Sequence, residues 1–244
     1  MRISLNNIVF KNEDIEVIKN ISCSFQCGLT YIVGKNGAGK STLLKLIATA
    51  ILPDEGNITY TKLIRDRKIG LYRQQLSVEE IRQVIGFMPQ HFTGYPEMTV
   101  ERYLKHMAFH KGIPNKLVKS LINGWLKDAD LHELKRKKLR NLSGGQRQKV
   151  GLIQALINQP RICILDEPFE GLDTKEKLFF KRVIQRLSYH SIIITSTHLL
   201  EEIEQTKDAS VLHMVEGEIS SYGGADELDS IVENLIANTE TPPN

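Results

Sequence analysis

Residues Gly34-Lys35-Asn36-Gly37-Ala38-Gly39-Lys40-Ser41-Thr42 constrain the fold of this chain more than any other stretch. Leu29 to Val33 before them is a short apolar run of strand type. After them, Leu43, Leu44, Ile47 and Ala48 fall on one face of a helix. The stretch satisfies the pattern Gly, four residues, Gly, Lys, Ser or Thr, in the strand-to-helix context that the pattern requires. Its glycines let consecutive backbone N–H groups converge at a helix N-terminus, whose partial positive charge favours a phosphate. Lys40 would supply a mobile cation for β and γ oxygens. Ser41 offers a hydroxyl to Mg²⁺, an ion that keeps an octahedral oxygen shell.

The remaining pattern predicts an α/β fold. Ile162–Leu165 and Ile192–Ile194 are apolar throughout, as strands covered on both faces are, and helical patterns such as Phe180, Val183, Ile184 and Leu187 separate them. Such alternation predicts a parallel sheet, here a phosphate-loop NTPase core. Ahead of it, Ile3 and Leu5, then Ile21, Cys23 and Phe25, alternate with polar residues around the turn Lys11 to Asp14, which predicts an N-terminal antiparallel β subdomain. Between about 93 and 159 there is no strand pattern. Val100, Leu104 and Met107, then Leu117, Val118, Leu121, Ile122, Trp125 and Leu126, recur at helical spacing with Gly112 and Pro114 between, predicting an inserted α-helical subdomain. One domain is therefore expected over 1–224. Leu228, Ile231, Val232, Leu235 and Ile236 predict a short amphipathic helix within 225–244, ending in a frayed tail.

Composition removes several classes of function. A chain of 244 residues with 41% hydrophobic and 25% charged residues has ordinary globular usage. The longest stretch without a formal charge, Asn20 to Gly34, is 15 residues long, short of the ~18 that a membrane span needs. The N-terminus lacks the apolar run of a secretion signal, so a cytoplasmic chain is expected. Cys23, Cys27 and Cys163 have no neighbouring ligands to complete a zinc site and are read as reduced thiols. A net charge of +3, with acids and bases interspersed, gives no reason to expect nucleic acid. Only Lys135-Arg136-Lys137-Lys138-Leu139-Arg140 stands out, as a solvated basic face.

Two further segments carry chemistry. The strand Ile162 to Leu165 ends in Asp166-Glu167, which places one acid to orient magnesium-bound water and the next to polarise an attacking water. In Asn141-Leu142-Ser143-Gly144-Gly145-Gln146, Ser143 and Gln146 have the spacing of a capping box. The same helix start could equally receive a phosphate, and the local pattern leaves both readings open.

The phosphate loop, Leu142-Ser143-Gly144-Gly145-Gln146 and Leu165-Asp166-Glu167-Pro168 occur in the order and spacing of ATP-binding cassette proteins, which the chain resembles over about residues 1–224. The resemblance implies further roles. Gln90, after Phe87-Met88-Pro89, would join the Mg²⁺ shell with Ser41 and Asp166 and sense a membrane partner. Asp173, in Gly171-Leu172-Asp173, would lie in a loop crossing a dimer interface. His198, 31 residues after Glu167, would contact the γ-phosphate together with Lys40. Phe10, 24 residues before Gly34, would stack on adenine, with core packing as the rival reading. Phe169 and Thr174 depart from the usual family residues. In the implied mechanism two cassettes face head to tail, and each ATP lies between the phosphate loop of one and Ser143, Gly144, Gly145 and Gln146 of the other. Glu167 polarises the attacking water. A separate multi-span membrane subunit is implied, with the cassettes peripheral on its cytoplasmic side. Residues 150–156 and 196–204 resemble the bacterial exporter branch, so export is expected. The alternatives are a cassette ATPase without transport, similar to the soluble iron-sulfur assembly ATPase, and a nucleotide-gated binding module. The cargo is not legible.

Overall fold

The computed structural model describes residues 1–66, 69–198, 203 and 209–224. The helix expected after residue 224, and part of the exporter-like segment at 199–202 and 204, lie outside the described residues.

Two sheets share the work of burial. The first is antiparallel: β1 (Arg2–Asn12) and β2 (Ile15–Gln26) form a hairpin, and β4 (Glu55–Asp66) and β5 (Gly70–Gln75) form another, in the order β2-β1-β4-β5. The second has six strands in the order β10-β9-β3-β8-β7-β6. It contains β3 (Gly28–Val33), β6 (Ile85–Met88), β7 (Ile162–Leu165), β8 (Ile192–Ser196), β9 (Ala209–Val215) and β10 (Glu218–Gly223). Its pairings are parallel except that β10 runs antiparallel to β9 at the edge.

The apolar runs of β3, β7 and β8 follow from coverage on both faces. Ile32, Ile162, Ile164, Ile192 and Ile194 point into a cluster with the N-terminal sheet and with α1 (Lys40–Ile47). Their strand neighbours Leu29, Tyr31, Val33, Cys163, Leu165 and Ile193 belong to a second cluster, packed with helices. Helix α1 buries Leu43, Leu44, Leu46 and Ile47, so it is enclosed on more than the single face expected from spacing.

The helices of the second cluster are α3 (Val100–His110), α4 (Asn115–Asp128), α5 (Gly144–Leu156) and α6 (Thr174–Ser188). Thr99 caps α3, and α4 buries Val118, Ile122 and Leu126 at four-residue spacing. Every residue of α5 from Gln148 to Leu156 is buried. Helix α2 (Val78–Val84) opens with a capping box between Ser77 and Glu80. The basic side chains of the run 135–140 stay solvated, and Lys138 and Arg140 pair at the surface with Glu97, at 2.9 and 2.6 Å. The three cysteines are free thiols, and burial pushes Cys23 and Cys163 up to about 12. Among the described residues no helix is long and apolar enough to cross a membrane.

Candidate nucleotide site

Because β3, β6, β7 and β8 are parallel and in register, their C-terminal ends open on one edge of the sheet, where ligands of such sheets bind. β3 delivers Gly34, β6 delivers Gln90, β7 delivers Asp166 and Glu167, and β8 delivers His198. Asn36, Gly37, Gly39, Lys40, Ser41, Thr42, Gln90, Glu167 and His198 line one cleft of about 520 Å³. A larger groove of about 1230 Å³ between α4 and α6 contains none of them.

The phosphate loop is held by close backbone approach. A Cβ on Gly34 would lie 2.3 Å from the Met214 carbonyl oxygen, and its φ of +149° also favours glycine. Gly39, in left-handed conformation, starts α1 without a side-chain cap. Ser77, Thr99, Ser143 and Asp173 cap α2, α3, α5 and α6, while α4, begun by Pro114, likewise has no side-chain cap. The first N–H groups of α1 are thus left for a ligand. Lys40 folds its ammonium onto its own loop, donating to the carbonyls of Gly34 at 2.7 Å and Lys35 at 3.1 Å. Burial lowers its pKa, and the negative charges of Glu167 and Asp166 pull it back up.

Asp166 is 1% exposed, and its Oδ1 accepts a hydrogen bond from Ser196 Oγ at 2.7 Å. Ser196 Oγ in turn accepts from the Glu167 N–H at 2.9 Å. Glu167 adopts a left-handed φ of +47°, costly for a residue with a side chain, and Gln148 holds it there by donating to its carbonyl at 2.9 Å. Its Oε2 accepts from Gln90 Nε2 at 3.2 Å and lies 3.3 Å from His198 Nδ1. One carboxylate oxygen therefore gathers residues from three strand ends. Ser41 and Gln90 line the cleft and Asp166 is buried at the end of β7, and the hydroxyl, amide and carboxylate oxygens of these three are the hard donors that suit Mg²⁺.

The other expected residues lie outside this cleft. Ser143 and Gln146 form the capping box at the start of α5, with reciprocal bonds of 3.3 and 3.1 Å. Asp173 does the same for α6 with Glu176. Gly145 packs so closely on the Gly171 carbonyl that a Cβ would lie 2.4 Å from it, whereas a Cβ on Gly144 would meet nothing within 4 Å. Phe10 is half-buried against the core, across from Ile18, and does not line the cleft. Val17, on the neighbouring strand, lines it instead, as does Glu170. The sequence reading missed both, along with the bracing by Gln148 and Ser196. Ser196 stood in a segment already singled out, two residues before His198.

An uncapped glycine loop at the end of β3, with two acids at the end of β7, defines a P-loop nucleoside triphosphatase. The chain belongs to the ABC transporter family, whose sequence model matches residues 18–170, and it is an ATP-binding ATPase cassette of that family. It is 33% identical over 216 residues to an uncharacterized ABC transporter ATP-binding protein of Bacillus subtilis, YxlF, covering 87% of this chain and 68% of that protein. With the ABC transporter ATP-binding protein NatA of the same organism, identity is 30%, covering 92% of this chain and 87% of NatA. A solved dimeric ATP-binding cassette in a post-hydrolysis state, bound to ADP and phosphate, shares the fold with a TM-score of 0.76 at 24% identity. That match covers 91% of this chain and 98% of the other.

Proposed function

We propose that this chain is the ATP-hydrolysing subunit of a membrane transporter and works as a head-to-tail pair of cassettes. The observation that carries this reading is the gathering of Lys40, Ser41, Gln90, Glu167 and His198 around the uncapped start of α1. The N–H groups of residues 34–42 receive the β and γ phosphates, and the Lys40 ammonium moves from the loop carbonyls onto phosphate oxygens. Glu167, held by Gln90, polarises the attacking water. His198 donates to the γ-phosphate as its charge develops. Ser41, Gln90 and Asp166 would hold Mg²⁺, which when bound neutralises phosphate charge.

Ser143, Gly144, Gly145, Gln146 and Asp173 serve the ATP bound to the facing copy. Gly144 supports this reading, because among the described residues a Cβ there would meet nothing within 4 Å. Residues 1–224 form the cassette, with 93–159 as its helical subdomain. A separate membrane-spanning subunit docks near Gln90 and that subdomain, placing the chain on the cytoplasmic face. The direction is read as export, on the resemblance of residues 150–156 and 196–204.

The test uses Glu167→Gln, which should keep ATP binding while kcat falls by about 100-fold or more. Unchanged turnover would remove Glu167 from its role. The tagged variant, captured with Mg-ATP from gently solubilised membranes of its host, should bring down a multi-span protein. Recovery of soluble partners alone would point to a cassette ATPase without transport.

A further inference from the structure

The hairpin of β4 and β5 carries a surface that the nucleotide site does not use. Its register places Leu63 opposite Arg73 and Arg65 opposite Leu71. Directly opposed residues of an antiparallel pair share a face, so these four side chains form a two-by-two patch of alternating leucine and arginine. Tyr60, on the other face of β4, is buried, which turns the patch away from the core. Leu63 is 56% and Leu71 66% exposed, and Ile69, beside the turn, is 74% exposed. Arg65 and Arg73 are exposed too, and among the described residues neither guanidinium has a hydrogen-bond or ion-pair partner. β5 is the outer strand of its sheet, and among the described residues no further strand pairs with it on that side.

We propose that this face rests on the headgroup layer of an anionic lipid bilayer. Branched apolar side chains that stay exposed cost solvation free energy unless something covers them. Guanidinium groups set between them can pair with lipid phosphates while their methylene stems lie along the leucines. A protein partner fits the surface less well. A stable protein interface buries about 800 Å² on each side, far more than four side chains present. Arg73, the one charge on β5, also discourages a further strand from pairing at that edge. The patch lies apart from the cleft, and none of its residues lines that cleft. It therefore adds a lipid contact independent of the nucleotide chemistry.

The experiment is co-sedimentation of the full chain with vesicles of phosphatidylcholine and phosphatidylglycerol in equal parts, against vesicles of phosphatidylcholine alone. Binding should appear only with the anionic vesicles and weaken as salt is raised. Arg65→Gln with Arg73→Gln should lower partitioning about thirtyfold, from the attraction of two cations to an anionic surface. Leu63→Ser with Leu71→Ser should also release the chain. Basal ATP hydrolysis and the thermal midpoint serve as folding controls and should be unchanged in both variants. If one pair disturbs the midpoint, the other pair decides. Equal binding to both vesicle types, no binding by the unmodified chain, or variants that partition like it would overturn the proposal. The arginines would then only guard the edge against strand pairing.

Discussion

Adjacent glycines at the start of α5 should answer the same substitution in opposite ways. In Gly145→Ala, the new methyl would lie 2.4 Å from the Gly171 carbonyl oxygen, closer than real Cβ contacts come. Backbone must shift to admit it, and such overpacking costs about 1–3 kcal/mol. At about 2–4 °C per kcal/mol for a chain of this size, the thermal midpoint should drop by roughly 2–12 °C. In Gly144→Ala the methyl meets nothing within 4 Å, so removing a helical glycine should leave the midpoint unchanged or raise it, by at most about 1 kcal/mol. Turnover should nevertheless suffer, because in the proposed pair the facing copy's ATP would approach that backbone. A weakened charged hydrogen bond of about 1.5–3 kcal/mol slows hydrolysis roughly 10- to 160-fold. Thermal denaturation and steady-state ATP hydrolysis on both variants supply the numbers, and ATP-dependent dimerisation in the Glu167→Gln background supplies the cause. Full activity and full dimerisation in Gly144→Ala would refute the idea that ATP is sandwiched there. Equal destabilisation by both substitutions would refute the packing argument.

Three further expectations can be checked on the purified chain. Lys40→Ala should weaken Mg-ATP binding by about tenfold or more, read by fluorescent-nucleotide titration, and normal affinity would dismiss the phosphate-loop assignment. The ion pair between Lys149 and Glu176, at 2.6 Å and with Lys149 buried, should be costly to break from one side. Glu176→Ala, which leaves Lys149 buried and unpaired and also removes the acceptor of the Asp173 N–H, should cost about 3 kcal/mol in urea unfolding, and Lys149→Met with Glu176→Gln, which keeps a side-chain acceptor for that N–H, should recover most of it. His213 is buried, and burial holds its imidazole below its ordinary 6.5. Below that value the unfolded chain takes up a proton that the folded chain does not, so stability present above pH 6.5 should decline as pH falls through it. His213→Gln should shrink that decline in urea midpoints, and an identical pH profile would exclude His213 as its source.

What the sequence revealed depended on how local the signal was. The phosphate loop, the acids after β7 and the caps of α5 and α6 are set by residues within a few positions of each other, so spacing alone exposed them. β4 and β5 escaped because Thr61 to Gln75 mixes basic and apolar residues without one consistently buried face, the trait that makes their outer surface unusual. β9 and β10 gave no clear period, and β10 stands at an edge. Val17 and Glu170 reach the cleft only because distant strands end side by side. Phe10, which the family resemblance marks as an adenine-stacking residue with core packing as the rival reading, sits half-buried beside core side chains. Likewise Glu97, about 40 residues upstream of Lys138 and Arg140 in sequence, neutralises part of what looked like a free basic run.

The backbone contact between Gly145 and Gly171 has a consequence for the timing of the two sites in the proposed pair. In that pair Glu167 would serve one ATP and Gly145 the other, yet four residues after Glu167 the chain presses directly on Gly145. The Lys149–Glu176 pair ties the same two segments a turn further along. In such a pair a rearrangement around either ATP would move the floor beneath the other, so the two sites should not titrate as strangers. Hydrolysis should rise with ATP concentration more steeply than a single-site hyperbola, and loosening that contact should return the curve towards one.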